Sequence, residues 1–178
     1  MDLDKLKFTK LENEIIECLF RNPTTTFNGK ELAIKLKVSQ TAIAKSTKRL
    51  ATLGLLVLKK KILLSINLER ENKEIFNLKR VFNLKEMYCS GIVKYLYEVF
   101  LSSTITLFGS YSYGEDTEES DIDIAIIGYN KKPLDLKKFE NRLQRRVQVH
   151  FFENIGEINE NLKNSLINGI VLAGAITL

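Results

Sequence analysis

Residues 107–128, LFGSYSYGEDTEESDIDIAIIG, set an acidic, glycine-bearing loop between two apolar runs, and the second run opens with Asp-Ile-Asp. The preceding TITLF, residues 104–108, is short and β-branched and predicts a buried strand. It runs into Gly109-Ser110, after which SYSYGE is expected to form a helical turn. Residues 121–127, DIDIAII, predict the next strand. Strand side chains alternate between faces, so Asp121 and Asp123 share one face while Ile122 and Ile124 point into packing. Two neighbouring carboxylates repel unless a cation lies between them. Clustered hard oxygen ligands suit Mg2+, which also bridges to phosphates. Gly109 permits close backbone approach, and Ser110 offers a hydroxyl and an N–H to a phosphate.

Gly-Ser, ten intervening residues and Asp-x-Asp, flanked by two apolar strands, resembles the nucleotidyltransferase motif of the DNA polymerase β superfamily. It looks most like the minimal nucleotidyltransferases of prokaryotes, the antitoxin-like group, over residues 90–178. The resemblance implies a mixed sheet with flanking helices and Mg2+-dependent binding of a nucleoside triphosphate such as ATP. It further implies transfer of a nucleotidyl group, AMP or another, to a protein or small-molecule acceptor. Carried over by residue, Gly109 and Ser110 would hold the triphosphate, and Asp121 and Asp123 would be the catalytic metal ligands. The group also implies a HEPN-type protein partner.

The family expects a third carboxylate on a later strand. The matching stretch here is Arg145-Arg146-Val147-Gln148-Val149-His150-Phe151-Phe152, and Gln148 holds the acid's place. His150, the only histidine, falls on the same face two residues on. It reads as a hydrogen-bonded structural histidine ahead of a proton acceptor. Tyr113 stands where many relatives carry an arginine. Position 148 therefore separates two functions, a transferase and a domain that senses nucleotide or recruits a partner without turnover.

Upstream the charge balance changes. Residues 1–70 carry 14 Lys/Arg against 7 Asp/Glu, whereas the remainder carries 13 against 15. A basic module beside a slightly acidic one favours a polyanionic partner for the first. Leu11, Ile15, Ile16 and Leu19 predict an amphipathic helix over residues 9–21, stopped by Asn22-Pro23. Thr24, Thr25 and Thr26 favour an extended link. Asn28 is an N-cap for a short helix through Lys37, with Leu32, Ile34 and Leu36 available for the core. Ser39 caps a third helix that ends at Gly54. LLVLKK and KILLSINL then form a hairpin that pivots on residues 59–61.

Three helices and a basic hairpin make the pattern of a winged helix-turn-helix. Ile43, Thr47, Leu50 and Leu53 share the inner face of the third helix. Gln40, Thr41, Ala44, Lys45, Lys48 and Arg49 share the outer face, with amide and hydroxyl groups for base edges and cations for phosphates. Lys59, Lys60 and Lys61 would stand at the wing tip. Double-stranded DNA is the expected ligand, and transcription regulation the expected role.

The chain is thus expected to be an α+β protein. Its N-terminal winged helix-turn-helix would span residues 1–70, a helical connector 71–89, and a polymerase-β-like nucleotidyltransferase domain with a mixed sheet 90–178. Within residues 69–102, Ile75, Leu78, Val81, Phe82 and Leu84 could line one helix, with a break at Ser90-Gly91. Ile92, Val93, Leu96, Val99 and Phe100 could line the next, and Tyr88, Tyr95 and Tyr97 read as packing or interface. Residues 133–143 and 156–168 predict amphipathic helices, and NGIVLAGAITL a packed segment or dimer surface. A homodimer is the default expectation.

No apolar run approaches the ~18 residues a membrane-spanning helix needs, and the acidic N-terminus is unlike a secretory signal. Cys18 and Cys89 are too few for a zinc site or a disulfide framework. A reducing, cytoplasmic setting is expected, with no membrane association.

Overall fold

The computed structural model of the chain describes residues 7–60 and 64–176. The chain is α+β and divides into two compact units, Met1–Phe76 and Asn77–Leu178.

The first unit begins with α1 (Lys10–Arg21), opened by a reciprocal capping box. Glu12 N donates to Thr9 Oγ1 at 3.3 Å, and Thr9 N donates to Glu12 Oε2 at 2.7 Å. A short strand, β1 (Phe27–Asn28), follows, then α2 (Gly29–Leu36) and α3 (Gln40–Thr52). Asn28 Oδ1 accepts from Lys30 N and Glu31 N at 2.9 and 3.0 Å. Ser39 Oγ accepts from Ala42 N at 3.2 Å, so both expected caps form. Gly54, at φ 74°, turns the chain after α3.

The strands β2 (Leu56–Lys60) and β3 (Leu64–Leu68) form the hairpin, and the antiparallel sheet runs β1-β3-β2. This is the winged helix-turn-helix order. Ile15, Leu19, Leu32, Ile43, Leu50 and Ile66 are fully buried and form its centre. Leu53 is only half-buried. Lys61, expected at the wing tip, lies outside the described residues.

The expected place of Ile34 is corrected. Ile34 is 68% exposed rather than in the core. The series 32, 34, 36 has the period of a strand; in a helix, Leu32 and Ala33 turn inward and residue 34 turns away. The threonine link leads into β1, whose Phe27 pairs with Ile66 of β3, a strand too short to leave a periodic signal.

The second unit is built on a four-stranded sheet flanked by helices. It is entered by α4 (Lys73–Ser90), whose first residues belong to the first unit and at whose start Asn72 Oδ1 accepts from Glu74 N at 3.0 Å. Gly91, at φ 85°, makes the expected break before α5 (Ile92–Val99). Then come β4 (Thr104–Phe108), α6 (Gly109–Tyr113), β5 (Ile122–Ile127), α7 (Lys137–Leu143), β6 (Val147–Phe152), α8 (Glu160–Ile167) and β7 (Ile170–Ala173). A 3-10 turn, Ile155–Glu157, precedes α8.

The sheet order is β6-β5-β4-β7, with β5 and β6 parallel and the other pairs antiparallel, so the sheet is mixed. One face carries Ile105, Leu107, Ile122, Ile124 and Ile126, packed with Met87, Ile92, Leu96 and Phe139 from the helices. The opposite face carries a smaller cluster of Phe108 and Ala125 with Ile158 and Leu166. Burying each such side chain stabilises the fold by about 1.5–3 kcal/mol.

Here too the structure amends the sequence reading. Strand β5 starts at Ile122, so Asp121 lies one residue ahead of it. The helix expected over residues 133–143 begins only at Lys137. Leu134 and Leu136, ahead of the helix, pack on the core. Val81 is 68% exposed. The inward phase of α4 instead runs through Ile75, Lys79, Phe82, Asn83 and Met87, all buried. Tyr95 packs on Phe139 with ring centroids 5.1 Å apart, whereas Tyr88 and Tyr97 are exposed. The apolar C-terminal segment becomes the edge strand β7, with Thr177 and Leu178 outside the described residues.

Candidate active site

The pairing of β4 with β5 sets Phe108 opposite Asp123, so Gly109, the next residue, turns directly over that carboxylate. A Cβ at Gly109 would lie 2.8 Å from Asp123 Oδ2, and the residue sits at φ +73°. Both facts call for glycine here. Ser110 follows, half-buried, at the start of α6.

On the other side, β6 runs parallel to β5 with Asp123 beside Gln148 and Ala125 beside His150. That register brings Asp121, Asp123, Gln148 and His150 to one face. Gln148 Nε2 donates to Asp121 Oδ2. His150 Nε2 lies 3.1 Å from Asp123 Oδ1, and its ring meets Phe108 edge-on at 5.3 Å. The imidazole is held between a ring and a carboxylate. The Asp123 and His150 side chains keep 28% and 35% of their exposure, so the face opens to solvent. Tyr113 donates its hydroxyl to Ser165 O of α8 at 3.3 Å.

The donor set suits a hard cation with part of its shell supplied from elsewhere. Asp121 and Asp123 present two carboxylates, and the glycine leaves room against Asp123 Oδ2. Among the described residues no group of three or more His, Cys, Asp and Glu side chains is placed to hold a metal. Mg2+ tolerates such a site because it keeps waters and takes phosphate oxygens as ligands.

Behind the loop stands a polar cluster that sequence reasoning missed. Lys79 Nζ of α4 is paired with Asp116 Oδ1 and donates to Asp116 O at 3.1 Å. Asn83 Nδ2 donates to Asp116 Oδ1 at 2.7 Å and to Tyr111 O at 2.8 Å. Arg145 Nη2 lies 3.9 Å from Asp116 Oδ2. The available signal was helical phase: Lys79 and Asn83 occupy inward positions of α4, where a polar residue needs a partner.

In the first unit, Gln40, Thr41, Lys45 and Lys48 stand exposed on the outer side of α3, with Lys60 exposed at the end of β2. Arg49 is also partly exposed, but its guanidinium turns back to α1, pairing with Glu12 and donating to Lys7 O at 2.9 Å. Burial pushes the Glu12 carboxyl up, yet the hydrogen bonds from Arg49 and Thr9 outweigh it and hold the group below the usual range.

Residues 89–172 match the family described as the nucleotidyltransferase domain. Among curated proteins, none matches the chain. Among solved structures, the adhesin competence repressor from Streptococcus pyogenes aligns over 55% of this chain and 72% of its own, at 20% identity and a TM-score of 0.37. That likeness is too loose to carry an argument. Among the described residues no helix is long and apolar enough to cross a membrane.

Proposed function

We propose that the second unit binds a nucleoside triphosphate with Mg2+ at the face formed by Gly109, Ser110, Asp121 and Asp123, and that the first unit binds double-stranded DNA. The observation that carries this reading is the contact between Gly109 and Asp123. A hypothetical Cβ would meet Asp123 Oδ2 at 2.8 Å, so the Gly-Ser turn and the Asp-x-Asp strand form one cradle.

Bound Mg2+ would neutralise the carboxylates and draw a triphosphate to them. The chain's own residues do the rest. Gly109 leaves space for phosphate oxygens, Ser110 offers its hydroxyl, and Asp121 and Asp123 hold the metal. In transfer, an acceptor oxygen of a protein or small molecule bonds to the α-phosphorus as the bond to pyrophosphate breaks. The acceptor's proton passes to solvent water, to which the face is open.

One observation favours a second reading, a nucleotide sensor without turnover. Gln148 occupies the expected position of the third carboxylate and donates to Asp121 Oδ2. An amide accepts no proton at neutral pH, and His150 is already engaged with Asp123.

Calorimetric titration of ATP and GTP, with and without Mg2+, tests the shared claim. Binding that needs Mg2+ and disappears in Asp121→Asn/Asp123→Asn supports the site, and no binding under any condition overturns it. Gln148→Asp then separates the two readings. Pyrophosphate release in the wild type supports transfer, whereas release only in the variant supports sensing. For the first unit, exposed Gln40, Thr41, Lys45 and Lys48 on one side of α3 support the DNA reading.

A further inference from the structure

We infer that Lys79, Asn83 and Asp116 are positioning residues for the candidate active site, holding the loop between α6 and β5 so that the Gly-Ser turn and the two aspartates keep their spacing. The inference rests on the nucleotide-binding reading above for its functional meaning, and on the contacts alone for its structural content.

Asp116 is 2% exposed, the buried acid of a loop otherwise rich in solvent-facing carboxylates. Three lines of structure converge on it. From α4, Lys79 pairs with its carboxylate and also reaches its carbonyl. Asn83, one helical turn on, binds Asp116 and Tyr111 O with the same amide group, joining the loop to α6. From the approach to β6, Arg145 faces Asp116 Oδ2, and β6 carries Gln148, which reaches Asp121.

The loop itself has little freedom beyond that anchor. Glu115 N donates to Ser110 O at 3.0 Å, closing the turn after the Gly-Ser pair. Thr117 N donates to Ser120 Oγ at 2.9 Å and Ser120 N to Thr117 O at 3.2 Å. The next residue is Asp121. A displacement of Asp116 would therefore pass through one short turn to the first metal ligand.

Stability alone is a poor reason to keep such a pair. Replacing a buried ion pair with apolar side chains of similar volume is often neutral or stabilising. What an apolar pair cannot supply is direction. Lys79 and Asn83 bond one carboxylate oxygen from successive turns of α4, Arg145 faces the other from before β6, and together they fix its position rather than merely filling the space.

The test uses the full chain carrying Lys79→Met/Asp116→Leu, which removes both charges of the ion pair and leaves Arg145 its hydrogen bond to Gln144 O at 2.9 Å. Amide hydrogen exchange is read without nucleotide, followed by Mg2+-ATP titration. The expected result is an unfolding midpoint near that of the wild type, with exchange across residues 109–123 at least about tenfold faster and the rest of the second unit unchanged. Mg2+-ATP affinity should fall by about tenfold or more. Unchanged exchange in the loop of a folded double variant overturns the inference.

Should the double variant fail to fold, Asn83→Ala removes the link between Tyr111 O and Asp116 while leaving the ion pair. It is expected to give the same local acceleration, and wild-type exchange would again overturn the inference. Accelerated exchange in a chain whose wild type binds no nucleotide supports the anchoring role and removes the nucleotide reading instead.

Discussion

Each unit ties a helix to a functional element through a carboxylate and a cation, and the two pairs behave as different devices. In the first unit, Glu12 is nearly buried but its partner Arg49 keeps 45% of its side-chain exposure. In the second, Lys79 and Asp116 are exposed by only 2% and 1%. Water can replace the first cation's contacts when its partner is lost. It cannot reach the second. The difference teaches that burial of both partners decides how much is lost when one of them is removed alone.

The comparison can be broken most forcefully at Asp116. Asp116→Ala removes the carboxylate paired with the buried Lys79 ammonium and is expected to cost about 3–5 kcal/mol in denaturant unfolding of the second unit. A loss below about 1 kcal/mol would place this pair in the same class as the surface pairs.

A smaller effect is expected at Gly109→Ala, where a left-handed backbone and the clash with Asp123 combine. About 1–2 kcal/mol should be lost, with Mg2+-ATP binding weakened more than stability. Equal losses in the two measurements would argue against a shared cradle.

Glu12→Gln should cost about 1 kcal/mol at neutral pH, through the weakened capping box and the lost charge on Arg49's partner. The sign with pH follows from a lowered folded pKa. The wild-type advantage is present above the ordinary glutamate value near 4.3 and disappears as pH falls through the lower folded one. Unfolding curves of the two proteins should therefore converge in acid, and parallel curves would contradict the assignment.

The smallest change is Lys48→Ala. Stability should shift by under about 0.5 kcal/mol, while the slope of log K for duplex DNA against log salt should shrink by about 1. An unchanged slope would mean that this lysine meets no phosphate.

The same contrast explains what the sequence could reveal. Thr9, Glu12, Asn28 and Ser39 act within three residues of themselves, so their roles as caps were open to inspection or belonged to a familiar local pattern. The Gly-Ser and Asp-x-Asp residues were readable because strand alternation and spacing tie them together. Lys79 and Asp116 are 37 residues apart, and neither neighbourhood announces the other. Gln148 could be recognised as a departure, yet its hydrogen bond to Asp121 depends on the parallel register of β5 and β6. Ile34 and Val81 were misplaced for a simpler reason: hydrophobicity was counted without helical phase.

Because Asp123 reaches the open face through the alternation along β5, and Asp121 stands just ahead of that strand, the chain there counts in twos. Inserting one residue between Asp123 and Ile124, with Ile124 and Ile126 held in the core, would swing both acids towards Ile105 and Leu107. Inserting two would restore their direction at the expense of a longer approach. Natural length variation in this domain should therefore collect in residues 129–136, which form neither helix nor strand, and spare the six residues of β5.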